Sequence, residues 1–161
     1  MVATIYWPIL LYLIAVSIRD IGGIYTLTNA FMTLMTLYIG KITSDSNKYK
    51  ILNFGAILHS ISLVARALLK TLASITVAQG LGAVSYAMIR TPYESIHYGR
   101  SKREGIAQTV YAKEFYLHSG KVFGFLILLL NFFIFESYTN ALVSTVILAS
   151  IATFIMTRIK D

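Results

Sequence analysis

Apolar stretches separated by short charged links set the rhythm of this chain. Uncharged runs occupy residues 2–18, 21–40, 51–65, 71–89, 122–135 and 137–157. A helix needs about 20 residues to cross the roughly 30 Å hydrocarbon layer of a bilayer. Two of the runs are short, and each extends. The third reaches residue 69 if Arg66 snorkels to the nearer surface, and the fifth reaches back to 107 with His118 and Lys121 at an interface or cavity. The pattern therefore predicts an all-α integral membrane protein with six transmembrane helices, at roughly 2–18, 21–40, 51–69, 71–93, 107–135 and 137–157. The first run has no basic leading region and is apolar throughout, so it reads as a spanning segment rather than a cleaved signal. Residues 1–161 form a single transmembrane domain in this reading. The longest polar connection is "YGRSKREG", residues 98–105.

Composition agrees with that picture. Of the 161 residues, 57% are hydrophobic and 13% charged, with a mean hydropathy of +0.69. A soluble domain carries about twice that share of charge. Cysteine is absent, which excludes disulfides and thiolate metal sites. The net charge of +7 would fit nucleic acid only with a basic face on a soluble fold, and the pattern offers none.

The distribution of positive charge supplies an independent check on the helix count. Links after the second, fourth and sixth segments hold eight basic residues: Lys41, Lys48, Lys50, Arg100, Lys102, Arg103, Arg158 and Lys160. Links after the first, third and fifth hold two, Arg19 and Lys70. Lys and Arg collect on the cytoplasmic side. Both termini and the link "GKITSDSNKYK" (residues 40–50) are thus expected in the cytoplasm, with the chain in the plasma or inner membrane.

Gly40, Asp45, Lys48 and Lys50 in that link resemble the signature loop of the major facilitator superfamily, roughly G-x-x-x-D-(R/K)-x-G-(R/K)-(R/K). Asp45 falls one place late, Ser46 follows it instead of a basic residue, and the later glycine is absent. "VAQGLGA" (77–83) resembles the family's fourth-helix pattern R-x-x-Q-G-x-G-x-A, with Thr76 where the arginine would stand. "KEFYLHSGKVFG" (113–124) is similar to the charged start of a fifth helix in some members. The weakened motifs look more like the C-terminal half of a facilitator.

The resemblance implies half of a major-facilitator-type bundle that carries a small solute by alternating access. It would be either part of a longer chain or a unit that must pair with a second six-helix half. It further implies that the first and fourth helices line a cavity, the second and fifth flank it, and the third and sixth face outward. The plain alternative for the 40–50 link is a cytoplasmic turn anchored by its lysines.

Polar groups inside a bilayer are costly, so each needs a reason. Arg90 and Glu94 lie one turn apart near Pro92, which reads as a helix end. They form either a gate or anion contact, or an ordinary i,i+4 pair. Glu114, His118 and Lys121 share one helical face and offer a proton or substrate relay, or else an interfacial collar. Tyr25, Thr28, Asn29, Met32 and Thr36 form a polar stripe suited to a cavity wall or to interhelical contacts. His59 lies on an expected peripheral helix and stays outside the predicted site. Gly120 and Gly124, and the Gly80, Gly82 and Ala83 patch, permit close helix approach.

No nucleotide loop or zinc-protease motif occurs, and an intramembrane enzyme built on Glu114 and His118 would lack a second acid or a nucleophile with an adjacent base. The expectation is therefore a transporter rather than an enzyme, without cofactor or metal. Its partners would be the lipid bilayer, a small-molecule substrate and a second half, and not nucleic acid. A multi-pass structural or assembly protein that transports nothing is the alternative.

Overall fold

A computed structural model of the protein describes residues 8–9, 11–12, 17–68, 71–155 and 157. The fold is all-helical. Five helices are described along their length: α1 (Ile18–Ile42), α2 (Lys48–Leu68), α3 (Leu72–Glu104), α4 (Ile106–Ile134) and α5 (Tyr138–Ile155). They correspond to the second through sixth predicted segments. Most of the first segment lies outside the described residues, as do Lys70, Arg158 and Lys160.

Three of the five, α2, α4 and α5, are long and apolar enough to cross a membrane. Much of their apolar surface faces away from the bundle: on α4, Phe123, Phe125, Leu130 and Phe133 are exposed, the last at 88%. In water such a surface would be a severe liability. Helices α1 and α3 fall short of that apolarity among the described residues.

Local chemistry sets the helix ends. Ser17 caps α1, its Oγ accepting from the Asp20 N–H at 3.1 Å while its hydroxyl donates to Asp20 Oδ2 at 2.6 Å. Arg19 and Asp20, expected in a link, therefore belong to the first turn, where a carboxylate suits the positive end of the helix dipole. Asn47 seals the turn between α1 and α2. Its Nδ2 donates to the Ile42 carbonyl at 2.8 Å, and its Oδ1 accepts from the Ser44 N–H at 2.7 Å.

The largest departure from expectation is α3. It runs through Pro92 and "YGRSKRE" to Glu104, 33 residues or about 50 Å at about 1.5 Å per residue. Pro92 deletes one backbone donor without ending the helix, and it is fully buried. The true break is Gly105, whose φ of 93° is open to glycine and strained for other residues.

Helices α2 and α3 make the closest approach. A Cβ on Gly55 would lie 2.7 Å from Met88 Cβ and 3.0 Å from the Met88 carbonyl carbon, so only glycine fits. Buried hydroxyls and amides pair between helices: Ser62 Oγ donates to the Ala78 carbonyl at 3.0 Å, the Ser60 and Ser150 hydroxyls lie 2.7 Å apart, and Asn131 Nδ2 donates to Thr145 Oγ1 at 2.9 Å. Such pairing is required wherever water is excluded. An apolar cluster of Leu11, Ile24, Ile75, Leu128 and Leu142 closes one end of the bundle.

Candidate functional site

The helical repeat brings polar residues of α1 and α3 onto facing stripes. Tyr25, Thr28, Asn29 and Met32 recur every three or four residues on α1, and Gln79, Gly82, Tyr86 and Arg90 do so on α3. Between them, with α2 and α5, lies a cavity of about 410 Å³. Its lining includes His59, Leu63 and Arg66 from α2, and Ala149 and Thr153 from α5. None of these lining residues is acidic.

Arg66 is the central finding. Expected to reach a membrane surface, it is only 3% exposed and lies across Gly82. A Cβ on Gly82 would overlap the guanidinium, 2.8 Å from Cζ, so the glycine makes the space the arginine occupies. Gln79, one turn away, is 5% exposed, and its Oε1 has no hydrogen-bond partner among the described residues. The Tyr25 hydroxyl is in the same position. Buried polar atoms left this way beside a cavity point to something that completes them.

His59 also faces the cavity rather than standing apart from the site. Its Nδ1 lies 3.0 Å from Ser85 Oγ, while Ser85 donates to the Gly82 carbonyl at 2.9 Å. One hydroxyl has one proton, so Ser85 must accept from His59, which places a proton on Nδ1. This assignment follows from the hydrogen-bond network. It also means that His59 does not act as a base toward Ser85, although the two touch.

Of the residues singled out by sequence, Tyr25, Asn29 and Arg90 line the cavity. The third and sixth segments, expected to face outward, supply part of its wall. The fifth supplies none. Glu94 does not pair with Arg90. Lys113 of α4 donates to both its carboxylate oxygens, at 2.7 and 2.8 Å, and ties α3 to α4. That pair borders a hollow of about 130 Å³ with His97, whose imidazole is held below its ordinary value by burial and then by the Lys113 charge.

Glu114 and His118 meet at 3.5 Å on α4, both well exposed, beside a groove lined by α4 alone. Lys121, half-buried, does not line that groove. In the 40–50 link, Asp45 is paired with Lys48 at 2.8 Å and its side chain is 95% exposed. Its partner is three residues away, not on another helix. Lys50 is exposed, and a Cβ at Gly40 would meet Thr91 at an ordinary 3.9 Å. Among the described residues no cluster of metal-ligating side chains occurs.

Compared with family models, curated proteins and solved structures, the chain finds no match in any of the three. The facilitator resemblance rests on the motif residues alone. What the geometry offers chemically is a binding cavity of ordinary small-molecule size, with hydrogen-bonding groups and two guanidiniums on its wall.

Proposed function

We propose that the chain is a multi-pass membrane protein forming half of a transporter that moves a small solute by alternating access. One observation carries the reading: a cavity of about 410 Å³ lined by polar side chains lies between helices whose outer faces are apolar. A solute crossing a bilayer needs such a polar interior. On α1, which falls short as an apolar span among the described residues, Tyr25, Thr28 and Asn29 stand on the cavity wall.

In this reading all six segments span, and the end bearing Lys41, Lys48, Arg100 and Arg103 faces the cytoplasm, as do both termini. A second six-helix half covers part of the exposed surface. The α4 face is a candidate, because among the described residues nothing lies within 4 Å of where a Cβ on Gly120 or Gly124 would sit.

The chain lacks cysteine, so single-cysteine variants are clean probes. Cysteines at Ser46 and Ser101 should react with an impermeant thiol reagent from the cytoplasmic side only, and one at Ser74 from the outside only. In the paired transporter, a cysteine at Asn29 should react from either side, and solute should shield it. Labelling of Ser46 and Ser74 from one side would sink the topology. Reaction of Asn29 from one side alone, unaffected by any solute, would sink alternating access.

A further inference from the structure

The cavity carries a charge sign that narrows what it can hold. We infer that it is a binding site for a small organic anion whose carboxylate or phosphate group is held by Arg66, with Arg90 marking the other end of the cavity. The inference rests on the transport reading for its role as a substrate site, and on the cavity itself for its chemistry.

Three observations converge. The wall carries two arginines, and no carboxylate stands among the described lining residues. The deeper arginine, Arg66, is buried, and the desolvation cost of a buried guanidinium is offset when an anion occupies the site. Guanidinium is also the side chain best suited to a planar carboxylate or a phosphate, through paired N–H donors. Around it stand buried groups without hydrogen-bond partners among the described residues. The Tyr25 hydroxyl can donate, and Gln79 presents either its carbonyl or, with the amide turned over, its NH2.

The rest of the wall describes the ligand's body. Leu63, Ala83, Met32 and Ala149 are apolar and favour an organic skeleton over a bare inorganic ion. Arg66 lies against Gly82, and from there to Arg90 is about 12 Å along α3 at about 1.5 Å per residue. A short ligand gripped at Arg66 extends toward Arg90 without reaching it, and Arg90 acts on it through its charge. Arg90 is exposed, which suits a group that draws anions in.

The cavity is walled by the chain's own helices, so binding can be measured on the full chain in nanodiscs of zwitterionic lipid. Succinate, inorganic phosphate, a neutral diamide of succinate's size and putrescine would be titrated by calorimetry, with the melting temperature followed in parallel. Succinate should bind saturably and raise the melting temperature, while the diamide and the diamine should do neither. Arg90→Gln, at an exposed position, should fold and weaken succinate. Arg66→Gln should weaken it about 10- to 100-fold, the range for loss of a charged hydrogen bond. Arg66→Lys keeps the charge and serves if Arg66→Gln does not fold, with a loss smaller than that of the neutral variant.

Equal binding by wild type, Arg90→Gln and Arg66→Lys would mean an adventitious anion and overturn the assignment. So would preference for the diamide or the diamine. A phospholipid is the other source of the same chemistry. If phosphatidylglycerol in the discs saturates the site through Arg66 and no soluble anion competes, the soluble substrate is overturned. Flux in vesicles separates this inference from the reading beneath it. Arginine-dependent binding without flux from the paired transporter keeps the anion site and sinks transport. Flux of a neutral solute that no anion inhibits does the reverse.

Discussion

Two of the places where charge enters the apolar helices behave in opposite ways. On α2, Arg66 is buried at 3% exposure, crossed by Gly82 and neighboured by Gln79 and Tyr25 from other helices. On α4, Glu114 and His118 touch each other at 3.5 Å and remain exposed beside a groove made by their own helix. The difference is enclosure. A group becomes part of a site when several helices surround it, because burial strengthens each electrostatic contact and makes an unmatched polar atom expensive. Charges aligned on one helix share a face and nothing more. The α4 face gains such a role only if another surface covers it.

The sharpest way to break the enclosed region is to force its helices apart. Replacing a helical glycine by alanine gains about 0.5–1 kcal/mol in backbone terms. At Gly55 that gain is overwhelmed, because the new Cβ meets Met88 Cβ at 2.7 Å and its carbonyl carbon at 3.0 Å. Atoms fixed to the backbone cannot step aside, so Gly55→Ala should cost about 1–3 kcal/mol net, and Gly55→Leu more. Gly120→Ala on α4 meets nothing and should be neutral or slightly stabilising. Melting temperatures of the two variants in one detergent test the contrast. A Gly55 variant as stable as the Gly120 one would show that α2 and α3 are not in contact there.

Gly82→Ala is the subtler cut. Its Cβ meets the far end of a side chain, Arg66, together with Ser62 Oγ at 2.8 Å. The arginine can move where a backbone cannot, so the stability loss should be smaller, about 1 kcal/mol. The cavity should change more than the fold. Anion binding should fall in Gly82→Ala even where the melting temperature barely moves, a split that calorimetry and thermal unfolding on the same sample would expose.

How much of this was readable beforehand follows the same division. Apolar runs gave the existence of the five described helices, because each run is long and bounded by charge or glycine. Sequence places the end of α3 too early, because proline is a common terminator and nothing local reveals that Pro92 is fully buried in a helix that continues to Glu104. Tyr25, Asn29 and Arg90 were legible as stripes on single helices. His59 and Arg66 were not, because their position depends on which way α2 is rotated. A signal was present in "QGLG": the glycine at 82 leaves room for a large side chain opposite, and Arg66 is what fills it.

The link between α3 and α4 offers a weaker test of enclosure. Lys113 and Glu94 make a two-pronged contact, yet both side chains remain partly exposed. Pairs of this kind couple by about 0.2–1 kcal/mol. A double-mutant cycle with Glu94→Gln and Lys113→Met should return a coupling in that range. A value of several kcal/mol would mean that another surface, such as a second half, seals the pair from water.

Asp45 should show the smallest effect. The signature loop it resembles would have this carboxylate anchor neighbouring helices, but the hydrogen bond from Lys48, and then that lysine's charge, hold its carboxyl below the ordinary 3.8. A lowered folded value means that the pairing contributes above the unfolded pKa and is lost as pH falls through the folded one. From neutral pH down to about one unit above 3.8, wild type and Asp45→Asn should differ by a small constant amount, and the difference should close only below that. The side chain is 95% exposed, so water screens the pair throughout. Raising salt should therefore erase the difference at neutral pH. Melting curves of the two proteins at pH 7 and pH 3, each at low and high salt, decide it. A large, salt-resistant loss in Asp45→Asn would place this carboxylate against another helix and restore the anchoring role that the loop's sequence resembles.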